Sequence, residues 1–262
     1  MDQSKKSFLS PSKLKPTIVY LVFVLIGSTF FAILFSMLIG AIKGLDANTI
    51  GNSYLNSEIE TTKEMDACKI IGSCYGTALA YLIGFLACCI WMRDEFILDF
   101  KNIKENKKFY AFYLPISAVS FAIIAVALDL LFSKWVGDSN NQSSIVEMLK
   151  SSGAVPMIIS TIIFAPVVEE MIYRKALFSA MNAFPVYLSY IASTILFALP
   201  HMLSTSISSV GFHIWLLELL PYLICGALLC LIYHKSKYNI YASIFAHMLN
   251  NTIAVIMVMA KL

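Results

Sequence analysis

Long apolar stretches, each closed at its ends by charge, set the plan of this chain. Residues 16–42, 70–92 and 109–128 contain no formal charge, in runs of 27, 23 and 20 residues. About 20 apolar residues at ~1.5 Å rise each are enough for a helix to cross the hydrocarbon layer. Four further stretches, 154–181, 186–202, 213–233 and 238–260, are predominantly apolar, although the first holds Glu169, Glu170, Arg174 and Lys175 and the third holds Glu218. The pattern predicts an all-α fold, a polytopic membrane helical bundle of about seven transmembrane helices. The first run is too long for a signal-peptide core and has no clear small-residue cleavage site, so it is expected to stay as a helix.

Composition and charge sharpen this picture. Of 262 residues, 59% are apolar and 13% charged, outside the range of an ordinary soluble domain. With the amino terminus inside, 13 of the 19 basic residues fall on the cytoplasmic side, from Lys5, Lys6, Lys13 and Lys15 through Arg93 to Lys108, then Arg174, Lys175, Lys235 and Lys237. The positive-inside rule then gives an N-in, C-out chain, a multi-pass protein of the cell membrane. Residues 1–15 read as a basic cytoplasmic tail in contact with anionic lipid, and residues 16–150 as N-terminal transmembrane helices and loops. Residues 94–108 read as an inner loop of mixed charge. The basic residues sit at membrane edges with no nucleic-acid motif, so nucleic acid is not an expected partner. Gly72 and Gly76 form a GxxxG pattern that predicts close helix packing. The six cysteines lack zinc-ribbon or CxxC spacing and read as small apolar packing.

The chemistry lies in ionisable residues inside apolar segments, which are costly there and mark function. Glu170 and Arg174 are four apart on a helix and can pair, whereas Glu169 points about 100° away and is left without a local partner. Arg174 and Lys175 can also be read as a helix end snorkelling to headgroups. Pro166 precedes Glu169 by three residues and Pro200 precedes His201 by one. Each removes a donor and predicts a kink beside an ionisable group. His247 and Asn251 share one face of the last helix. Asp129 reads as reaching headgroups, and Glu218 as either a packing partner or a lining of the substrate path. His213 and His234 read as interfacial.

Glu169-Glu170-x-x-x-Arg174, Phe197-x-x-x-His201 and His247-x-x-x-Asn251, in successive hydrophobic segments, resemble the CPBP family of intramembrane proteases. That family comprises type II CAAX prenyl endopeptidases and bacteriocin-processing, Abi-like relatives. The resemblance covers residues 169–251 and makes 151–262 the expected catalytic transmembrane core. It implies an intramembrane endopeptidase acting on a peptide or lipidated peptide, in which Glu169 and His201 activate a water and His247 and Asn251 bind the oxyanion. Glu170 and Arg174 would orient the site. No cofactor is favoured. Zinc on Glu169, His201 and His247 is the alternative, although there is no HExxH and Asn251 suits oxyanion binding better than ligation. A bacterial source would imply a leader, signalling or bacteriocin peptide as substrate. The competing readings are a non-catalytic membrane immunity or regulatory protein of the same fold, and a proton-coupled transporter. The absence of repeat-related halves weighs against the transporter.

Overall fold

The structure is a computed structural model that describes residues 10–137, 140–181, 184–203, 205 and 207–260. Among these the regular structure is helical, with no strand. In chain order the helices are α1 (Pro11–Ile42), α2 (Ala47–Asn52), α3 (Lys63–Trp91), α4 (Arg93–Glu105), α5 (Lys107–Val136) and α6 (Asn140–Lys150). They continue as α7 (Ala154–Phe178), α8 (Val186–Met202), α9 (Ile207–Val210), α10 (Phe212–Lys235) and α11 (Ile240–Met259). Helices α1, α3, α5, α7, α10 and α11 are long and apolar enough to cross a membrane, and the chain is a multi-pass membrane protein. The remaining expected crossing, α8, is shorter: 13 α-helical residues end at Ala198, and a four-residue 3-10 turn carries Pro200 and His201.

Two loop readings need correction. Helix α1 begins at Pro11, so residues 11–15 are helical and not a tail, whereas residues 1–9 lie outside the described residues. Proline at the first helical position loses no hydrogen bond and presets the helical φ. The segment expected to be an inner loop is the helix α4. Asp94 and Glu95 stand in its first turn and Lys104 in its last, which suits the helix dipole. Asp99 anchors it: both its carboxylate oxygens accept from Lys175 Nζ at 2.7–2.8 Å, and Oδ2 also accepts from the Ile240 N–H at 2.7 Å. Asn239 Nδ2 donates to the Asp99 carbonyl at 2.8 Å. The tight turn between α10 and α11, with positive φ at Lys237 and Tyr238, is thereby fastened to α4 and α7.

Helices α1 and α3 make close contact through small residues. A Cβ at Gly72 would run into Ser36, and one at Gly76 into the backbone of Ala32. This is the approach that the GxxxG spacing predicts. The central core gathers Tyr20 and Val24 of α1, Val168, Met171 and Tyr173 of α7, Phe197 of α8, Leu229 of α10 and Ala246 of α11. Helix α7 runs through this core and is irregular. Its α-helical piece Ala165–Glu170 lies between two π-helical segments, Ser160–Phe164 and Met171–Phe178. Pro166 has no N–H to offer the Ile162 carbonyl, and the kink expected there takes the form of the widened π turn just before it.

Candidate active site

The short α-helical piece of α7 presents Glu169 and Glu170 side by side in the core, 5% and 0% exposed. Glu170 binds two partners. Its Oε1 lies 3.2 Å from His247 Nδ1, and its Oε2 lies 3.1 Å from Arg174 Nε. The second contact is an ion pair without hydrogen-bond alignment, since neither Oε2 nor Nε has a hydrogen-bond partner. Arg174, fully buried, also donates through Nη1 to Ser193 Oγ at 3.1 Å and lies over the Phe197 ring at 4.7 Å. Ser193 passes the contact back to α7 by donating to the Tyr173 carbonyl at 2.8 Å. The guanidinium is therefore an internal tie between α7 and α8, and the snorkelling reading of Arg174 fails. Lys175 does not snorkel either, being buried against Asp99.

Glu169, without a partner on its own helix, finds one on α3. Tyr81 of α3 donates its hydroxyl to Oε1 at 2.6 Å, while Oε2 stands 4.0 Å from His247 Nε2. A carboxylate accepts only, so the Glu170 contact assigns the Nδ1 proton to His247 and turns Nε2 towards Glu169. A water hydrogen-bonded at about 2.8 Å to each of two atoms spans separations up to roughly 5.6 Å, so the gap accommodates one bridging water. Near this pair a second hydroxyl contact, Tyr20 to Tyr173 at 2.8 Å, joins α1 to α7.

His201 enters through aromatic contacts. Its ring stacks on Tyr222 of α10 with centroids 4.5 Å apart, and edges against Phe197 at 5.3 Å. Phe197 in turn meets His247 at 5.9 Å, so one ring touches both imidazoles. His201 is close enough to Glu169 and His247 to interact with both electrostatically, but makes no hydrogen bond to a described residue. Asn251 sits one turn beyond His247 on α11. Its Nδ2 donates to the Thr161 carbonyl at 2.9 Å, in the first π segment of α7, which fixes the amide beside the widened turn. Glu169, Glu170, Arg174 and His247 thus form one contact set, with His201 and Asn251 flanking it from α8 and α11.

For zinc on Glu169, His201 and His247, the atoms left to ligate are Glu169 Oε2 and His247 Nε2, 4.0 Å apart. Among the described residues no three His, Cys, Asp or Glu groups gather closely enough to hold a metal ion. Glu169 Oε1 and His247 Nδ1 already face Tyr81 and Glu170. The residues that sequence reasoning missed are Tyr81, Ser193 and Tyr222. A phenol in the middle of an apolar run needs a polar partner, and that was the available signal for Tyr81.

Apart from Tyr81, this arrangement falls within a single recognisable segment. Residues 151–253 match the family described as "Type II CAAX prenyl endopeptidase Rce1-like". The match agrees with the resemblance carried by the three motifs, all of which lie inside the Rce1-like segment. The chain is also 31% identical over 176 residues to an uncharacterized protein of Mycoplasma capricolum, covering 62% of this chain and 48% of that protein. It is 36% identical over 124 residues to a Bacillus subtilis protein named "Putative membrane peptidase YdiL", covering 46% of this chain and 43% of that one. The chain thus matches somewhat less than half the length of these curated relatives. No solved structure matches.

Proposed function

We propose that the protein is an intramembrane endopeptidase that hydrolyses a peptide bond with a water held by Glu169. The observation that carries this is a carboxylate steadied on one oxygen by Tyr81 and facing, 4.0 Å from the other, an imidazole oriented by a second carboxylate. Two carboxylates and one guanidinium leave the buried set one charge short of neutrality, and a proton on His247 supplies it. Unbalanced charge in a dry interior is strongly disfavoured. Glu169 takes a proton from water as the oxygen attacks the peptide carbonyl, with His201 bounding the water. The oxyanion is received by the Nε2–H of protonated His247 and by Asn251 Nδ2, donors held in place before reaction. Glu169 then passes the proton to the leaving nitrogen as the C–N bond breaks. Glu170 and Arg174 are positioning residues that hold the imidazole.

An apolar groove of about 500 Å³ between α1, α7 and α8, lined by Leu21, Leu25, Leu177, Leu196 and Leu203, reaches Tyr173 and Pro200 beside the site. It supports a membrane-associated or lipidated peptide as substrate, reached through the bilayer. The relatives from Bacillus and Mycoplasma support a bacterial plasma membrane, and the charge distribution supports N-in, C-out insertion. No metal is part of this reading, and the chelator treatment below decides between it and zinc.

The test compares membrane and secreted peptides, by mass spectrometry, of cells making equal amounts of the native chain or Glu169→Gln. A peptide cut only by the native chain is expected, and purified enzyme should cut it equally well after chelator treatment. Identical peptide profiles would remove the protease reading. Loss of activity in chelator, restored by zinc, would return Glu169, His201 and His247 to a metal role.

A further inference from the structure

A second cavity, of about 360 Å³, lies between α5, α6, α10 and α11. It is within the size range of ligand pockets, about 300–1,000 Å³. Two lining residues touch the candidate site directly. Tyr222 stacks on His201, and Asn250 Nδ2 donates to Asn251 Oδ1 at 3.3 Å. Among the described residues the charged groups on its wall are Asp129, Glu218 and Lys150, two carboxylates and one ammonium.

Glu218 is the informative one. It stands in the apolar run Leu216-Leu217-Glu218-Leu219-Leu220 of a membrane-crossing helix and is 6% exposed. Thr205 Oγ1 donates to its Oε2 at 3.1 Å, while Oε1 takes no hydrogen bond from a described residue. A carboxylate kept in a helix bundle only for packing is expected to have its acceptors filled, since burial without partners is costly. Here Glu218 lines a cavity whose wall continues, through Tyr222 and Asn250, to His201 and Asn251.

We propose that this cavity is the recognition chamber for the peptide substrate and that Glu218 receives a cationic group of that peptide. The proposal rests on the protease reading and adds the substrate's chemistry. A carboxylate-rich wall favours an ammonium or guanidinium and disfavours an acidic side chain, with little screening inside the bundle. Lys150 opposes Glu218 and sets a limit on how strongly a cation is held. The cation has two possible sources in a peptide, a basic side chain or the free amino terminus.

The test is binding, so that it does not depend on catalysis. Full-length Glu169→Gln protein in detergent micelles is titrated with fluorescein-labelled peptides of Leu, Ala and Ser, N-acetylated and C-amidated, carrying one central Lys or one norleucine. A norleucine peptide with a free amino terminus is the third probe. A cationic peptide is expected to bind about tenfold tighter than the neutral one, the scale of one charge-assisted hydrogen bond. Tightness with the Lys peptide assigns the side chain, and tightness with the free-amine peptide assigns the terminus. Adding Glu218→Gln, which keeps the contact with Thr205, should bring the ratio to within twofold. Lys150→Gln should raise it, and decides the matter if Glu218→Gln does not fold. Equal binding of all three probes, or a preference that survives Glu218→Gln, overturns the proposal. Cleavage of the same peptides by the native chain is scored separately. If none is cut while the binding preference holds, the protease reading is the one that fails.

Discussion

The two halves of this bundle solve the same packing problem with opposite materials. Helices α1 and α3 approach through Ser36, Ala32, Gly72 and Gly76, where the absence of side chains lets backbones meet. The Rce1-like segment is held instead by Arg174, Glu170, Lys175 and Asp99, all nearly or fully buried. Small-residue contact costs nothing electrostatically and fixes distance. Buried charge is costly and fixes direction, which a catalytic carboxylate needs and a spacer helix does not. The difference implies that substitutions in the second half separate activity from stability, while those at the small-residue seam of the first change stability alone.

The largest effect is expected from Glu169→Gln. The amide oxygen still accepts from Tyr81, so the fold should unfold at an unchanged temperature, while loss of the base should cost about 10²–10⁴ in kcat/KM. A large drop in unfolding temperature would make Glu169 a structural group and erase the contrast between the halves. Arg174→Met comes next, because it leaves the buried set one positive charge short beside Glu170, which is 0% exposed. Removing one partner of a buried pair costs about 3–5 kcal/mol. Adding Glu170→Gln should recover most of the unfolding temperature but not the rate, since His247 still lacks its orienting carboxylate. Recovery of both would show that Glu170 and Arg174 hold the fold and do not position the imidazole.

Much of this was legible in the chain, and the limits have physical causes. Charge-free runs betray crossings because hydrocarbon excludes charge, and the pairing of Glu170 with Arg174 follows from a spacing of four. Helix α4 was hidden because its mixed charges resemble a loop, and what anchors it, Asp99 against Lys175 and the Asn239 turn, joins residues about 75 and 140 positions apart. Tyr81 reached Glu169 across 88 positions for the same reason. Spacing within one helix reports only neighbours on that helix. The α8 segment could be read as apolar, but its length and 3-10 ending depend on Pro200 and on Tyr222 holding His201.

On the first half of the comparison, Gly76→Val should cost about 1–3 kcal/mol, because its Cβ meets the Ala32 backbone and α1 must move from α3. Cleavage by the folded fraction should keep its native kcat/KM. A rate loss larger than the loss of folded protein would show that α1–α3 spacing reaches the site, through Tyr20 on Tyr173 or Tyr81 on Glu169.

The smallest effect concerns the loop that joins those two helices. Asp46 caps α2, accepting from the Asn48 N–H at 2.9 Å and the Thr49 hydroxyl at 2.6 Å, and these donors hold its carboxyl below the usual carboxylate range. A lowered folded value means that the unfolded loop takes up the proton first. The cap therefore stabilises α2 fully above the unfolded value and is lost as pH falls through the folded one. Hydrogen exchange of residues 47–52, corrected for intrinsic rates, should show protection that fades on acidification towards pH 3 in the native chain. In Asp46→Ala it should be weaker throughout and insensitive to pH. Fading of equal size in both chains would place the titrating group elsewhere in the loop. A change in peptide cleavage at neutral pH would contradict the reading of α2 as a local element of this loop, because α2 touches none of the buried charges.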